Sequence, residues 1–188
     1  MGSEQTSEEY MRAVRIGELS PHRATVELAE YDPAWPELYR REEEKIRRAL
    51  GQRALLVAHA GSTSVPGLAA KPIIDVVLEV ADTTEEGAYV PPLEAAGYVL
   101  RIREPDWFEH RVLKGTAPSV NLHVFPAGCS EVERMLRFRD HLRANEADRE
   151  LYLRTKRELA VKTWEHVQHY ADAKSDVVDE ILRRARSD

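Results

Sequence analysis

The sequence predicts an α+β domain: a mixed, mostly antiparallel sheet of about five strands packed with helices, with a helical C-terminal half. Three observations carry this expectation. Short runs rich in β-branched residues fall between Ala54 and Phe125, and everything after Pro126 reads as helical. No internal repeat divides the 188 residues, a length that suits one domain with a substantial core.

Residues 1–22 are polar and lack clear periodicity, so a flexible arm is expected ahead of a single domain over 23–188. The stretch DPAWPELYRREEEKIRRALG reads as an amphipathic helix, with Asp32 as cap, Pro33 in its first turn and Gly51 at its stop. Trp35, Leu38, Ile46, Ala49 and Leu50 form its apolar stripe. ALLVAHA and PIIDVVLEV then read as neighbouring strands joined by a Gly/Ser/Pro-rich loop. TTEEGAYVPPLEAAG is a short helix begun or kinked at Pro91 and Pro92 and ended at Gly97. YVLRIR, EHRVLK and SVNLHVF supply three further strands. Ser130 with Glu133 forms a capping-box pattern for the first C-terminal helix, and Asn145 with Asp148 caps a second that runs on through Gln168. A last helix spans about 173–185, with Val177, Val178, Ile181 and Leu182 as its buried face.

Composition narrows the function classes. Apolar residues make up 43% and charged residues 32%, which suits a soluble folded domain, and the formal charge of -6 comes without a dense basic run. Nucleic acid is therefore not an expected partner, because phosphate neutralisation needs clustered Lys and Arg. No apolar run approaches the roughly 20 residues that span a bilayer, so no membrane partner is expected. Cys129 is the single cysteine and excludes an intramolecular disulfide or a cysteine-rich zinc site. A cytoplasmic protein with a small phosphorylated ligand is the expectation.

The chemistry concentrates in AHAGSTSVPGLAAKPIIDVVLEV, residues 58–80. Gly61 and Ser62 end a strand in a turn whose amides and hydroxyl can bond phosphate oxygens, with Ser64 close behind. Lys71 can reach a ligand phosphate as a point charge. Asp75 sits within an apolar strand, where an ionised carboxylate is costly unless it is paired or bound to a cation.

A glycine-serine turn followed a dozen residues later by such an aspartate resembles the nucleotidyltransferase superfamily of DNA polymerase beta and the aminoglycoside nucleotidyltransferases. More closely, HAGSTSVPGLAAKPIIDVVLEV, with YDPAWP, NLHVF, FRDHLR, YLRTKRELA and YADAKSDVVDEI, resembles the GrpB family over roughly residues 25–185. That resemblance implies a nucleotidyltransferase-like fold. It suggests a nucleoside triphosphate donor, a small-molecule acceptor, and Mg2+ or Mn2+ as the ion.

Two residues after Asp75, where active transferases carry a second acid on the same sheet face, stands Val77. Glu79 shares the face, but four strand residues separate it from Asp75 by about 13 Å. His123 is the expected second catalytic or metal-ligating residue beside Asp75, and it points away from the face of Leu122 and Val124. Family members usually carry a histidine where Asn121 stands. Arg111, Lys114, Arg139, Lys156 and Lys174 fall in the segments that resemble the family and are candidate phosphate ligands. Asp140 is placed to orient Arg139, His59 to line the pocket, and His166 with His169 to form an adventitious metal pair. A binding module that kept the cradle without the chemistry, and a divergent transferase that uses the same pocket, are the alternatives.

Overall fold

The computed structural model describes residues 7–17, 26–164 and 167–185. Within the polar N-terminal stretch, α1 (Glu8–Val14) forms behind Ser7, whose side chain accepts from the Tyr10 amide. Met11 is its buried anchor, and a bridge between Arg15 and Ile102 ties the segment to the edge of the sheet. A seven-residue helix with one buried residue is a weak sequence signal, which is why the stretch reads as structureless until its docking surface is known.

The next helix, α2 (Trp35–Leu50), starts slightly later than predicted, with Pro36 rather than Pro33 in its first turn. Asp32 accepts from the Ala34 amide at 2.8 Å and so shapes the turn ahead of it. Gly51 ends the helix at a φ of 57°. The strands fall where expected: β1 (Leu56–Ala60), β2 (Ile74–Val80), β3 (Val99–Glu104), β4 (His110–Thr116) and β5 (Ser119–Pro126). The short α3 (Val90–Ala95) precedes β3. Their order across the sheet is β1-β2-β5-β4-β3. Only β2 and β5 run parallel, so the sheet is mixed and mostly antiparallel.

Strand alternation divides the chemistry from the core. Ile74, Val76, Leu78, Leu113, Leu122 and Val124 point to one face, where α2 and α3 close over them. Asp75, Val77, Asn121 and His123 point to the other, which the helical half covers. That half comprises α4 (Ser130–Ala144), α5 (Glu146–Ala160), α6 (Val167–Asp172) and α7 (Ser175–Arg184).

Two expectations about these helices need correction. The capping box does not form: Cys129 is the N-cap of α4 and Ser130 is already its first helical residue. The second helix stops at Ala160 instead of continuing through Gln168, because the chain turns back there. The Lys162 amide and the Trp164 indole both donate to the Leu159 carbonyl, at 3.2 and 2.9 Å. Asn145 caps α5 as expected, accepting from the Asp148 amide at 3.0 Å. His166 lies outside the described residues, and so does the metal pair suggested for it with His169.

Candidate functional site

The loop between β1 and β2 begins with Gly61 at a φ of 65° and winds into one 3-10 turn, Ser62–Ser64. Glycine is required here twice over. The backbone is left-handed, and a Cβ would lie 2.3 Å from Asp75 Oδ2. The loop is held from behind by α4. Arg139 Nη1 donates to the His59 carbonyl at 2.8 Å, and Arg143 Nε and Nη2 both donate to the Ser64 carbonyl, at 3.0 and 2.8 Å. Arg139 is thus a clamp on the loop backbone, paired as expected with Asp140 at 2.8 Å.

Of the three small polar residues in the turn, Ser62 and Thr63 line a cavity of about 160 Å³, whereas Ser64 does not and donates back to the Gly61 carbonyl. Lys71, Asp75, Asn121, Lys156 and Lys174 line the same cavity. These lysines come from three places: the loop before β2, the middle of α5, and the residue ahead of α7. Lys71 and Lys174 flank the Tyr170 ring, with Nζ 5.3 and 4.5 Å from its centroid. Lys156 is 2% exposed and donates to the Ala69 carbonyl.

Burial pushes the three ammonium groups down, Lys71 and Lys174 to about 8 and Lys156 to about 7, and repulsion from neighbouring cations adds to it for Lys71 and Lys156. Asp75 offsets part of this for Lys71 and Lys174. Burial opposes the charge on Asp75 itself, but the His123 ring in its protonated form, the Asn121 amide and Lys174 outweigh it and hold the carboxyl below its usual range. Asn121 Nδ2 donates to Asp75 Oδ1 at 2.9 Å. A cavity that gathers three cations around one carboxylate carries an excess of positive charge. It is matched to an anion.

From Asp75 a row of titratable groups crosses the sheet. His123 Nε2 lies 3.7 Å from Asp75 Oδ1, and its Nδ1 lies 3.1 Å from His110 Nε2. His110 Nδ1 is 2.6 Å from Glu104 Oε2, and Tyr10 donates to Glu104 Oε1 at 3.1 Å. These contacts determine the tautomers. Burial would raise the Glu104 carboxyl, but hydrogen bonds from His110 and Tyr10 hold it below its usual range, so it accepts. Burial also holds His110 down at about 4, leaving it neutral with its proton on Nδ1. Its Nε2 must then accept from His123 Nδ1, so a neutral His123 presents a bare Nε2 toward Asp75. When that nitrogen takes a proton, Asp75 faces the charge.

The donor set does not fit a protein-held pair of magnesium ions. Among the described residues no group of three His, Cys, Asp or Glu side chains could hold a metal. Asp75 brings a single carboxylate, Mg2+ demands near-octahedral oxygen ligation, and three ammonium groups share the cavity.

Comparison with known proteins identifies the family: the family model described as GrpB protein matches residues 25–184. The chain belongs to the GrpB family. It is 60% identical over 181 residues to a UPF0157 protein of Halalkalibacterium halodurans, covering 96% of this chain and 93% of that protein. A UPF0157 protein of Streptomyces coelicolor is 47% identical over 165 residues, covering 88% of this chain and 87% of that one. The chain also matches 46% of the length of a protein named dephospho-CoA kinase from Mycolicibacterium paratuberculosis, with 30% identity across 87% of this chain. Among solved structures, the conserved protein GrpB from Enterococcus faecalis superposes with a TM-score of 0.74 at 31% identity, covering 85% of this chain and 96% of that one.

In this GrpB chain some sequence candidates lie elsewhere. Arg111 shares the parity of Leu113 and therefore points to the opposite face, where it is buried and pairs with Glu86 at 2.7 Å. Lys114 lies on the Asp75 side but lines a separate cavity with Arg15 and Arg101. His59 is also on the far face, stacked on Tyr39 and bonded to Thr63 Oγ1 at 3.0 Å; burial lowers its pKa to about 4. Glu79 lines neither the lysine cavity nor the one beside Lys114. Thr63, Arg143, His110 and Glu104 were not singled out from sequence. A β4–β5 hairpin register would have placed His110 diagonally against His123.

Proposed function

We propose that this GrpB protein is a nucleotidyltransferase that seats the phosphates of a nucleoside triphosphate in the lysine cavity and transfers the nucleotidyl group to a small-molecule acceptor. The observation that carries this reading is the meeting of Lys71, Lys156 and Lys174 with Ser62 and Asp75 in one cavity. At about 160 Å³ that cavity is smaller than the roughly 300–1,000 Å³ that a drug-sized ligand occupies, so it takes phosphate groups and leaves the nucleoside outside.

The lysines neutralise phosphate charge, and Ser62 with the turn amides orients the phosphate oxygens. An acceptor hydroxyl or amine bonds to the α-phosphorus. The bond from that phosphorus to its bridging oxygen breaks, and pyrophosphate leaves with the electron pair. The acceptor's proton passes to His123 Nε2, and Asp75 stabilises the imidazolium. One observation favours a second reading, binding without transfer: Val77 is fully buried where the second acid of the active transferases would stand.

Thermal unfolding tests both. Nucleoside triphosphates, inorganic tripolyphosphate and dephospho-CoA are compared with and without Mg2+, the last because a relative is named for it. A phosphate ligand at a hundredfold excess over its Kd adds about 2.7 kcal/mol, a rise in Tm of about 5–10 °C for a chain of this size. Lys71→Met with Lys174→Met should abolish the rise. Pyrophosphate release in wild type that is lost in Asp75→Asn supports transfer; stabilisation retained in Asp75→Asn without pyrophosphate release from either protein supports binding alone. No stabilisation by any phosphate ligand refutes both readings.

A further inference from the structure

His123 stands between two cavities. Beyond it, on the side away from the lysines, lies a larger one of about 560 Å³, within the range of small-molecule sites. Its wall is apolar, built from Val14 of α1, Val112, Phe125 and Met135, with Trp107 at its side. His123 and His110 line it as well, so the bare Nε2 belongs to a residue shared with the row that leads to Asp75.

Charge distinguishes the two cavities. Glu104, Glu131 and Asp172 line the larger one against a single guanidinium, Arg15. Glu131 is half-buried and pairs with Arg134 of its own helix at 3.1 Å; burial raises its carboxyl above the usual range, so a further cation beside it stabilises the ionised form. Trp107 is 38% exposed and offers an aromatic ring, which attracts cations as well as apolar groups.

We propose that this second cavity is the acceptor site and that its ligand is a small molecule with an apolar body and a protonated amine. The word acceptor rests on the transferase reading above; the ligand class rests on the carboxylates, the ring and the apolar wall. Phosphate is drawn to the lysine side, an ammonium to the carboxylate side, and His123 lies at the seam.

Three probes of one shape test this on the full chain: phenethylamine, 2-phenylethanol and 3-phenylpropionate, each titrated to millimolar concentration while tryptophan emission is followed. Among the described tryptophans, Trp107 alone lines the cavity. Phenethylamine should give a saturable change that Trp107→Phe removes, 2-phenylethanol a weaker one, and 3-phenylpropionate none. Glu131→Gln should weaken the amine about tenfold and leave the alcohol unchanged. No saturable change with the amine, equal binding of all three, or a change that survives Trp107→Phe overturns the proposal. A Tm rise with tripolyphosphate but no amine binding refutes this proposal alone. Amine binding with no tripolyphosphate effect refutes the transferase reading and leaves the ligand class standing.

Discussion

Replacing Gly61 with alanine should strike Asp75 directly. The added methyl would sit 2.3 Å from Oδ2 and 3.0 Å from both Cβ and Cγ of Asp75, closer than real Cβ contacts come. The carboxylate has to retreat by about 1 Å to reach ordinary contact, and doing so pulls Oδ1 from the Asn121 amide at 2.9 Å. Two costs add. An alanine at a φ of 65° loses roughly 1–2 kcal/mol, and a weakened hydrogen bond to a charged group costs roughly 1.5–3 kcal/mol. The sum, about 2.5–5 kcal/mol, corresponds to a fall in Tm of roughly 5–20 °C. Calorimetric unfolding of wild type, Gly61→Ala, Asp75→Ala and the double variant separates the terms, because without the Asp75 carboxylate the clash with Oδ2 and Cγ is gone and only the backbone cost and the tight contact with the Cβ of residue 75 remain. Gly61→Ala should therefore cost at least 1 kcal/mol less in the Asp75→Ala background. A Tm within a degree of wild type, or equal costs in both backgrounds, would refute the claim that Gly61 is required by the approach of Asp75.

Two further predictions follow from the same site. Lys156 has a folded-state pKa of about 7, below the unfolded 10.5, so between those values the unfolded chain binds more protons and stability rises with pH. Lys71 and Lys174 act in the same direction from about 8. Lys156→Met removes a burial cost on the order of 4 kcal/mol at neutral pH and loses the bond to the Ala69 carbonyl, worth about 1 kcal/mol, so Tm at pH 7 should rise by about 6–12 °C and its slope from pH 7 to 9 should flatten. A variant less stable than wild type at pH 7 contradicts this. Glu104→Gln should release the tautomer of His110 and hence of His123. In wild type, the 15N spectrum of neutral His123 should show a protonated Nδ1 and a bare Nε2, and the variant should show a mixture. An unchanged spectrum shows that Glu104 does not set the tautomer.

What the sequence revealed follows from periodicity. Alternation in PIIDVVLEV and SVNLHVF places Asp75 and His123 on one face opposite the apolar residues, and the structure puts them 3.7 Å apart. The same alternation, applied to HRVLK, separates Arg111 from Lys114. What could not be read is convergence. Lys156 and Lys174 reach the Gly61 loop only because α5 and the turn before α7 pack across the sheet, and no local pattern records which surface lysine will be buried. Ser64 looked like a third phosphate ligand because hydroxyls in a row look alike; the winding of the turn sends its Oγ back to the Gly61 carbonyl. The Glu104–His110 pair lies across a strand pairing and draws attention only once the register is fixed.

Val77 bears on how the site is organised as a whole. It is fully buried among Ala60, Phe125, Cys129 and Val132, under the first turn of α4. An ionised carboxylate there would lose its solvation at a cost of several kcal/mol, with no partner in that cluster to compensate. The absent second acid is therefore not an isolated substitution: it accompanies the closure of α4 over this part of the sheet, and that same helix supplies Arg139 and Arg143 to hold the Gly61 loop. Where a pair of acids would gather metal ions around a triphosphate, this face buries an apolar residue and gathers three lysines beside Asp75 instead. Positive charge is thus supplied by the protein itself. Its depressed lysine pKa values mean that an anion entering the cavity draws protons with it, so affinity for phosphate should fall as pH rises through about 7–8.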